Sequence, residues 1–446
     1  MTKSAPPVGS SVLQRVNRAL CPQGHVFRGW WVVGSGGLAN FFGAILFMQA
    51  FGAYVLLIED EFGWSKAALA GAFALARLES GLLGPLQGWM IDRFGPRVIM
   101  RCGLIIFGVG MIALSQIVSI WDFYIVVFAI ALGSSLGGFL SVTVALVNWF
   151  NRHRAKALAL AQLGFSLGGV LVPITIFAME TVGWRATAIA SGIIILLVTW
   201  PVTQVMHHRP DELGETRDGL PDVEFGARSD AGAQVQRPID RSWEFTAREA
   251  LRTSSFWWIS LGHATSLLVV GAVMVHLVLH VHGSLGYSLG TAGLIVALVT
   301  LMQIVGQVGI TIVGDRVNKQ ITVVICMGVH AAGLLLLAYA QNMAMVISFA
   351  VLHGIAWGVR GPLMQALRAD YFGTASFGTI MGWSSLVVMA GMSIGPIFAG
   401  WMADQTGSYT AGFAVLSAAA LFGSVFFVLA KKPMLPDRGT VPDKKA

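Results

Sequence analysis

Gly88-Trp89-Met90-Ile91-Asp92-Arg93-Phe94-Gly95-Pro96-Arg97 joins an apolar run near 67–90 to another near 98–119, and its Asp-Arg pair returns 223 residues later as Asp315-Arg316. Three more landmarks keep that register. Phe62-Gly63-Trp64-Ser65 matches Leu285-Gly286-Tyr287-Ser288 at an offset of 223, Phe150 matches Phe372 at 222, and Pro173 matches Pro396 at 223. Four landmarks in one register predict two parallel, pseudo-symmetric halves.

Composition says what those halves are made of. The chain has 446 residues, 55% hydrophobic and only 11% charged, with a mean hydropathy of +0.72. A soluble domain carries about 25% charged residues, so this chain has too little charge to cover itself in water. Most of its surface must meet lipid. Apolar runs lie near 31–58, 67–90, 98–119, 122–148, 157–179 and 184–206, then near 256–281, 290–313, 321–340, 343–367, 377–402 and 410–430. Runs of about 20 residues without alternation are membrane-spanning helices, because in lipid each backbone polar group must be satisfied within the segment. The fold class predicted is all-α, with twelve transmembrane helices in two six-helix halves. The divisions are a tail (1–30), a bundle (31–206), a polar central loop (207–253), a second bundle (254–430) and a second tail (431–446).

Charge placement sets orientation. With both ends cytoplasmic, tails and inner loops hold 24 of the 29 Lys and Arg residues, and outer loops only Lys66 and Arg185. The positive-inside rule therefore predicts a multi-pass inner-membrane protein with cytoplasmic termini. A net charge of +7 spread over tails and loops does not make a nucleic-acid face. Cys21, Cys102 and Cys326 have no paired spacing, so neither a disulfide nor a metal site is expected. The first apolar run is too long for the core of a cleaved signal and is read as a retained span.

The quoted loop and its echo at Gly314-Asp315-Arg316 resemble those of the major facilitator superfamily. Phe62-Gly63-Trp64-Ser65, Asn148-Trp149-Phe150, Ala250-Leu251-Arg252-Thr253-Ser254-Ser255-Phe256-Trp257 and Tyr371-Phe372-Gly373 are similar to the bacterial monocarboxylate and oxalate/formate transporter branch. The resemblance spans nearly the whole chain. It implies a secondary transporter working by alternating access, with its solute between the halves. In that branch a helix-8 arginine, often with a carboxylate one turn earlier, resembles the anion and proton site. The matching positions here are Gln307 and Gln303, and span 11 has no lysine.

Candidate residues follow from charge at membrane depth. Arg360 lies in the middle of span 10, where an arginine costs about 2.5–3.5 kcal/mol on the insertion scale. His353, Trp357, Arg360 and Met364 share one helix face, so Arg360 beside Trp357 could bind a carboxylate; the plain alternative is that it bonds carbonyls of a neighbouring helix. Glu79 is the only carboxylate well inside a span, which makes it the candidate for proton coupling. Arg77 lies on a face with Gly81, Gly84 and Gly88 and reads as a gating or packing cation. Asp92 is expected to accept hydrogen bonds from the adjacent half-helix or to pair with Arg93 or Arg97, forming with Asp315 and Arg316 a latch between the halves. Asn40 is a cavity polar group, with Gln49, Tyr54, Asn148, Gln162 and Ser166 as weaker ones. His263, His276, His280, His330 and His353 read as packing histidines, with no third ligand to make a metal site.

The expected function is secondary transport of a small organic anion, a mono- or dicarboxylate, by proton symport or anion exchange. The chain is expected to act as a monomer without a cofactor. Two cationic residues, Arg77 and Arg360, against one buried carboxylate suit an anion. Efflux of amphipathic or neutral compounds is the alternative, and a non-transporting ligand sensor is a reading from another class. No nucleophile-base grouping, carboxylate dyad or metal cluster supports an enzyme, and no phosphate-cradling loop supports direct ATP drive.

Overall fold

The computed structural model describes residues 26–64, 66–219 and 244–434, apart from the side chains of Lys66, Ala67, Ala68, Ala70, Phe73, Ala74, Arg77, Leu78 and Leu289. Cys21, Ser65, the side chain of Arg77, most of both tails and residues 220–243 therefore lie outside the described residues.

Twelve helical spans cross the described structure: α1 (Arg28–Phe62), α2 (Lys66–Leu82 continued by Gly84–Phe94), α3 (Pro96–Leu114), α4 (Ile120–Trp149), α5 (Arg154–Val182) and α6 (Trp184–Val205) form one half. The other half is α7 (Ser254–Ser284), α8 (Leu289–Val313), α9 (Lys319–Ala338), α10 (Met343–Phe372), α11 (Phe377–Thr406) and α12 (Tyr409–Leu429). Eleven are long and apolar enough, in length and composition, to cross a membrane. The exception is α2, which breaks at Leu83 into pieces of 17 and 11 residues just before Gly84-Pro85. Pro85 has no N–H to give to the preceding turn, so the ladder is interrupted there.

Helix starts follow from short polar side chains at the turns. Ser288, Asn318 and Asn342 accept the N–H groups of Thr291 at 3.1 Å, Ile321 at 3.0 Å and Met345 at 3.1 Å, opening α8, α9 and α10. The duplicated turns after α1 and α7 both use a left-handed glycine, Gly63 at φ 65° and Gly286 at φ 74°, a conformation that a Cβ disfavours.

Packing repeats the duplication. In the first half α1 lies on α5, α2 on α4, and α3 on both α4 and α6. In the second, α7 lies on α11, α8 on α10, and α9 on both α10 and α12. Lipid tails are as apolar as leucine, so these helices gain by close approach rather than by expelling water. The glycines allow it: a Cβ on Gly164 of α5 would stand 2.0 Å from the Gly37 carbonyl oxygen of α1, and one on Gly395 of α11 would stand 1.9 Å from that of Leu268 of α7. The halves meet where α2 packs on α11 and α5 packs on α8 and α10. Trp31, Trp121, Trp200 and Trp401 are exposed near helix ends, the placement of residues anchoring at the membrane rim.

Candidate functional site

Three irregularities interrupt the helices of the first half. The α1 helix carries a π-helical turn over Ala44–Met48 and restarts at Phe51, α2 breaks at Leu83, and α4 breaks at Gly138 (φ −118°, ψ −123°). Irregular backbone is tolerated at membrane depth where it lines a cavity. Here it does: Ala44, Phe47, Met48, Gly84, Gly138 and Phe139 all face one cavity of about 250 Å³. Ser385 and Met389 of α11 close it from the other half. Its wall is largely apolar and aromatic, with Asn40, Ser80, Gln87, Ser134, Ser135 and Ser385 as the polar groups.

Those polar groups connect to the buried acid. The Ser135 hydroxyl donates to Gln87 Oε1 at 2.8 Å, and Gln87 Nε2 donates to Glu79 Oε1 at 2.8 Å. Ser80 donates to Glu79 Oε2 at 3.1 Å. Glu79 is thus held by neutral donors, one step behind the cavity wall. Glu79 and Gln87 lie on either side of the break at Leu83, a pairing that sequence reasoning missed. Asn40 Nδ2 donates to the Ala161 carbonyl of α5 at 3.1 Å, which fixes this cavity residue against its neighbour.

Gln303 and Gln307 lie on α8 where it meets α10 and α5. Gln307 is buried and accepts the Ser166 hydroxyl of the other half at 3.0 Å. The Gln303 carbonyl oxygen lies 2.0 Å from where a Gly358 Cβ would be. Gln162 of α5 abuts Gly361 of α10. Neutral polar side chains therefore meet across this seam at mid-depth.

Arg360 does not line that cavity. It is 1% exposed, and its charge acts on Cys326 and His330 of α9, His353 and Arg368 of α10, and His263 of α7, all within the second half. His330 Nδ1 and His353 Nδ1 are 3.1 Å apart, and Trp357 packs near the His353 ring. His353 and Trp357 are therefore brought together with Arg360, but around the core of the second half rather than on the cavity wall. His276 and His280 bond the carbonyls of Pro396 at 2.8 Å and Leu337 at 3.0 Å, as packing histidines do.

The face that carries the two ends of the described chain is sealed. The N–H groups of Gly378 and Thr379, at the start of α11, donate to Asp92 at 2.9 and 2.7 Å, and the Thr379 hydroxyl adds a third bond at 2.7 Å. At the start of α5, the N–H groups of Ala155 and Lys156 donate to Asp315 at 2.9 and 3.4 Å. Residues 155 and 156 precede 378 and 379 by the same 223 that separates Asp92 from Asp315. Each carboxylate caps the positive end of a helix in the opposite half. Of the two arrangements open to Asp92, the half-helix is the one present; Arg97 instead donates to Gln204 at 2.9 Å, and Arg93 lies over Trp89 at 5.8 Å. Arg316 is exposed on the same face. Beneath the caps, Asp370 joins Arg154 at 2.6 Å and Lys319 at 2.7 Å.

The central loop adds a bracket that sequence reasoning missed. Asp218 accepts three consecutive N–H groups of the α4–α5 turn, from Asn151 (3.0 Å), Arg152 (2.8 Å) and His153 (3.1 Å). Its neighbour Arg217 donates to Thr374 in the α10–α11 turn at 2.8 Å, and Thr374 donates to Glu244 at 3.0 Å. Two adjacent residues thus hold equivalent turns of opposite halves. Asp218 sits at φ 56°, a left-handed conformation that these three bonds offset.

Comparison with known proteins agrees with this geometry. The chain is 25% identical over 407 residues to monocarboxylate transporter 13 of Bos taurus, covering 89% of this chain and 88% of that protein. It is 24% identical over 340 residues to the oxalate:formate antiporter of Oxalobacter formigenes, covering 72% of each. Among solved structures, the E. coli fucose:proton symporter FucP matches with a TM-score of 0.69 at 12% identity, over 91% of this chain and 100% of that one. The human organic anion transporter MFSD10 matches with a TM-score of 0.66 at 17% identity, over 90% and 99%. A family model described as the Major Facilitator Superfamily matches residues 36–288 and 259–446. With that model covering both halves, the chain belongs to the Major Facilitator Superfamily, and it is a multi-pass membrane transporter of small molecules rather than an enzyme.

Proposed function

We propose that this protein is a secondary active transporter of a small organic anion, a mono- or dicarboxylate, working as a monomer by alternating access across the inner membrane. The observation that carries the reading is the cavity at the breaks of α1, α2 and α4, whose wall reaches Glu79 through Gln87. Solute and a titratable group then share one wall, which is what coupling requires. Its size and mostly apolar lining suit a small carbon skeleton, and Asn40, Gln87, Ser135 and Ser385 offer hydrogen bonds to polar ends. The anionic class follows from two similar proteins, one named a monocarboxylate transporter and one an oxalate:formate antiporter. Arg360 and Arg368, buried on α10, add a positive interior that favours an anion nearby.

With both termini cytoplasmic, the sealed face is the inner one, and solute enters the cavity from the outside in this state. The Asp92 and Asp315 caps hold that state and release as the halves rock. Gln303 and Gln307, with Ser166, lie at the seam that rocking would open, and Arg77 lies on the α2 element that moves. The aromatic wall of the cavity favours a second reading, transport of an amphipathic or neutral solute. Uptake of labelled lactate, pyruvate and oxalate into proteoliposomes, with and without a pH gradient, decides between them. The proposal expects saturable uptake of at least one; correctly inserted protein that takes up none would sink it.

A further inference from the structure

Arg360 and Arg368 are both 1% exposed and two helical turns apart on α10, a separation of about 12 Å along the axis. Arg368 gives one nitrogen to the Met364 carbonyl at 3.2 Å and meets His263 Nδ1 at 3.0 Å. Arg360 has no such support: its Nε and Nη1 are buried with no hydrogen-bond partner among the described residues. The Nε2 atoms of His330 and His353, two rings on which the same charge acts, are buried and unpartnered too. No described carboxylate bonds either of the Arg360 atoms. Asp315 caps α5, Asp370 is taken by Arg154 and Lys319, Glu244 is bonded to Thr374, and Glu249 and Asp404 lie at helix ends.

A guanidinium held away from water needs hydrogen bonds and also an opposite charge. Histidine rings and a thiol supply no negative charge. The burial limits what can: with Arg360 at 1% exposed, the counter-charge must be compact. We infer that the core of the second half, at Arg360 between α7, α9 and α10, binds a small monovalent anion, either a free halide or a short carboxylate. The anion takes the Nε and Nη1 donors of Arg360 and lies beside the His330–His353 pair. The site is separate from the central cavity and does not depend on the transport reading, because the charge needs balancing whatever the solute is.

The test is equilibrium binding without a gradient, so failed transport would not touch it. Purified full-length protein in sodium gluconate is titrated with chloride or with formate at constant ionic strength while its thermal midpoint is followed. A ligand at 100 times its dissociation constant stabilises the folded state by about two orders of magnitude in the folding equilibrium, a rise of several degrees. The site predicts a saturable rise in wild type and in Arg248→Gln, which alters an exposed residue of the 247–251 helix, and none in Arg360→Gln. A response to both ions assigns a general small-anion site, and a response to formate alone assigns a carboxylate site. No response to either, or an equal one in Arg360→Gln, overturns the inference. If Arg360→Gln does not fold, anomalous scattering from wild type in bromide settles the matter. A peak within hydrogen-bond reach of Arg360 upholds the site, and peaks only elsewhere refute it.

Discussion

Replacing Gly88 by alanine should break the seal on the termini face. A Cβ at Gly88 would lie 2.0 Å from the carbonyl oxygen of Gly378 and 2.5 Å from its carbon, both backbone atoms that no rotamer change can move. Reaching ordinary contact requires α2 and α11 to part by more than 1 Å. That displacement pulls Asp92 off the N–H groups of Gly378 and Thr379, now at 2.9 and 2.7 Å. Forcing one methyl into a close-packed contact costs about 1–3 kcal/mol. The contact belongs to the sealed state, so the penalty falls on that state and shifts its population by about 5- to 150-fold. Spin labels at Arg93→Cys and Arg316→Cys, both exposed on this face, read the shift as a change in distance distribution. We expect a new or enlarged population at longer distance in Gly88→Ala. A distribution identical to that of the parent, in protein that is folded and inserted, would show that the glycine contact does not hold the gate.

The other seal elements make parallel predictions. Asp92→Ala removes three bonds to α11 and should populate the longer distance as Gly88→Ala does, with a cost of about 1–3 kcal/mol to the sealed state; an unchanged distribution would count against the cap. Asp315→Ala should act in the same direction and less strongly, since Asp315 accepts two such bonds, one of them at 3.4 Å. The double variant Arg217→Ala, Asp218→Ala cuts the central-loop bracket and should raise protease or thiol access at the α4–α5 turn; access equal to wild type would mean the bracket is ornamental. Glu79→Gln should keep solute exchange but lose the response to a pH gradient, and retained gradient-driven accumulation would remove Glu79 from coupling.

How much of this was legible in the sequence depended on what each feature requires. Twelve spans and their duplication were readable because lipid demands long apolar runs, and because Asp92 and Asp315 mark the two halves in one register. The cap on α11 was foreseen as one of two options, and its choice needed the distance from Asp92 to Gly378. Side-chain direction was harder. Arg360 shares a helix face with His353 and Trp357 as the spacing implies, but which neighbour that face meets depends on the rotation of α10, and it meets α9 and α7 rather than the cavity. The cavity itself was hidden, since nothing in the sequence brings the breaks beside Gly84-Pro85 and at Gly138 against the π turn at Ala44–Met48. The Arg217–Asp218 bracket had no sequence signal, because it joins turns that are distant along the chain.

The central claim is that solute binds at the cavity wall where Gln87 hydrogen-bonds Glu79, the coupling acid one step behind it. The most direct measurement is the internal pH of proteoliposomes, reported by a trapped dye, when lactate, pyruvate or oxalate is added outside without an imposed gradient. The account predicts that at least one of these acidifies or alkalinises the lumen through wild-type protein, in proportion to its uptake, and that Glu79→Gln takes up the same solute without the pH change. Uptake with no proton movement in wild type, or an equal pH change in Glu79→Gln, would contradict it.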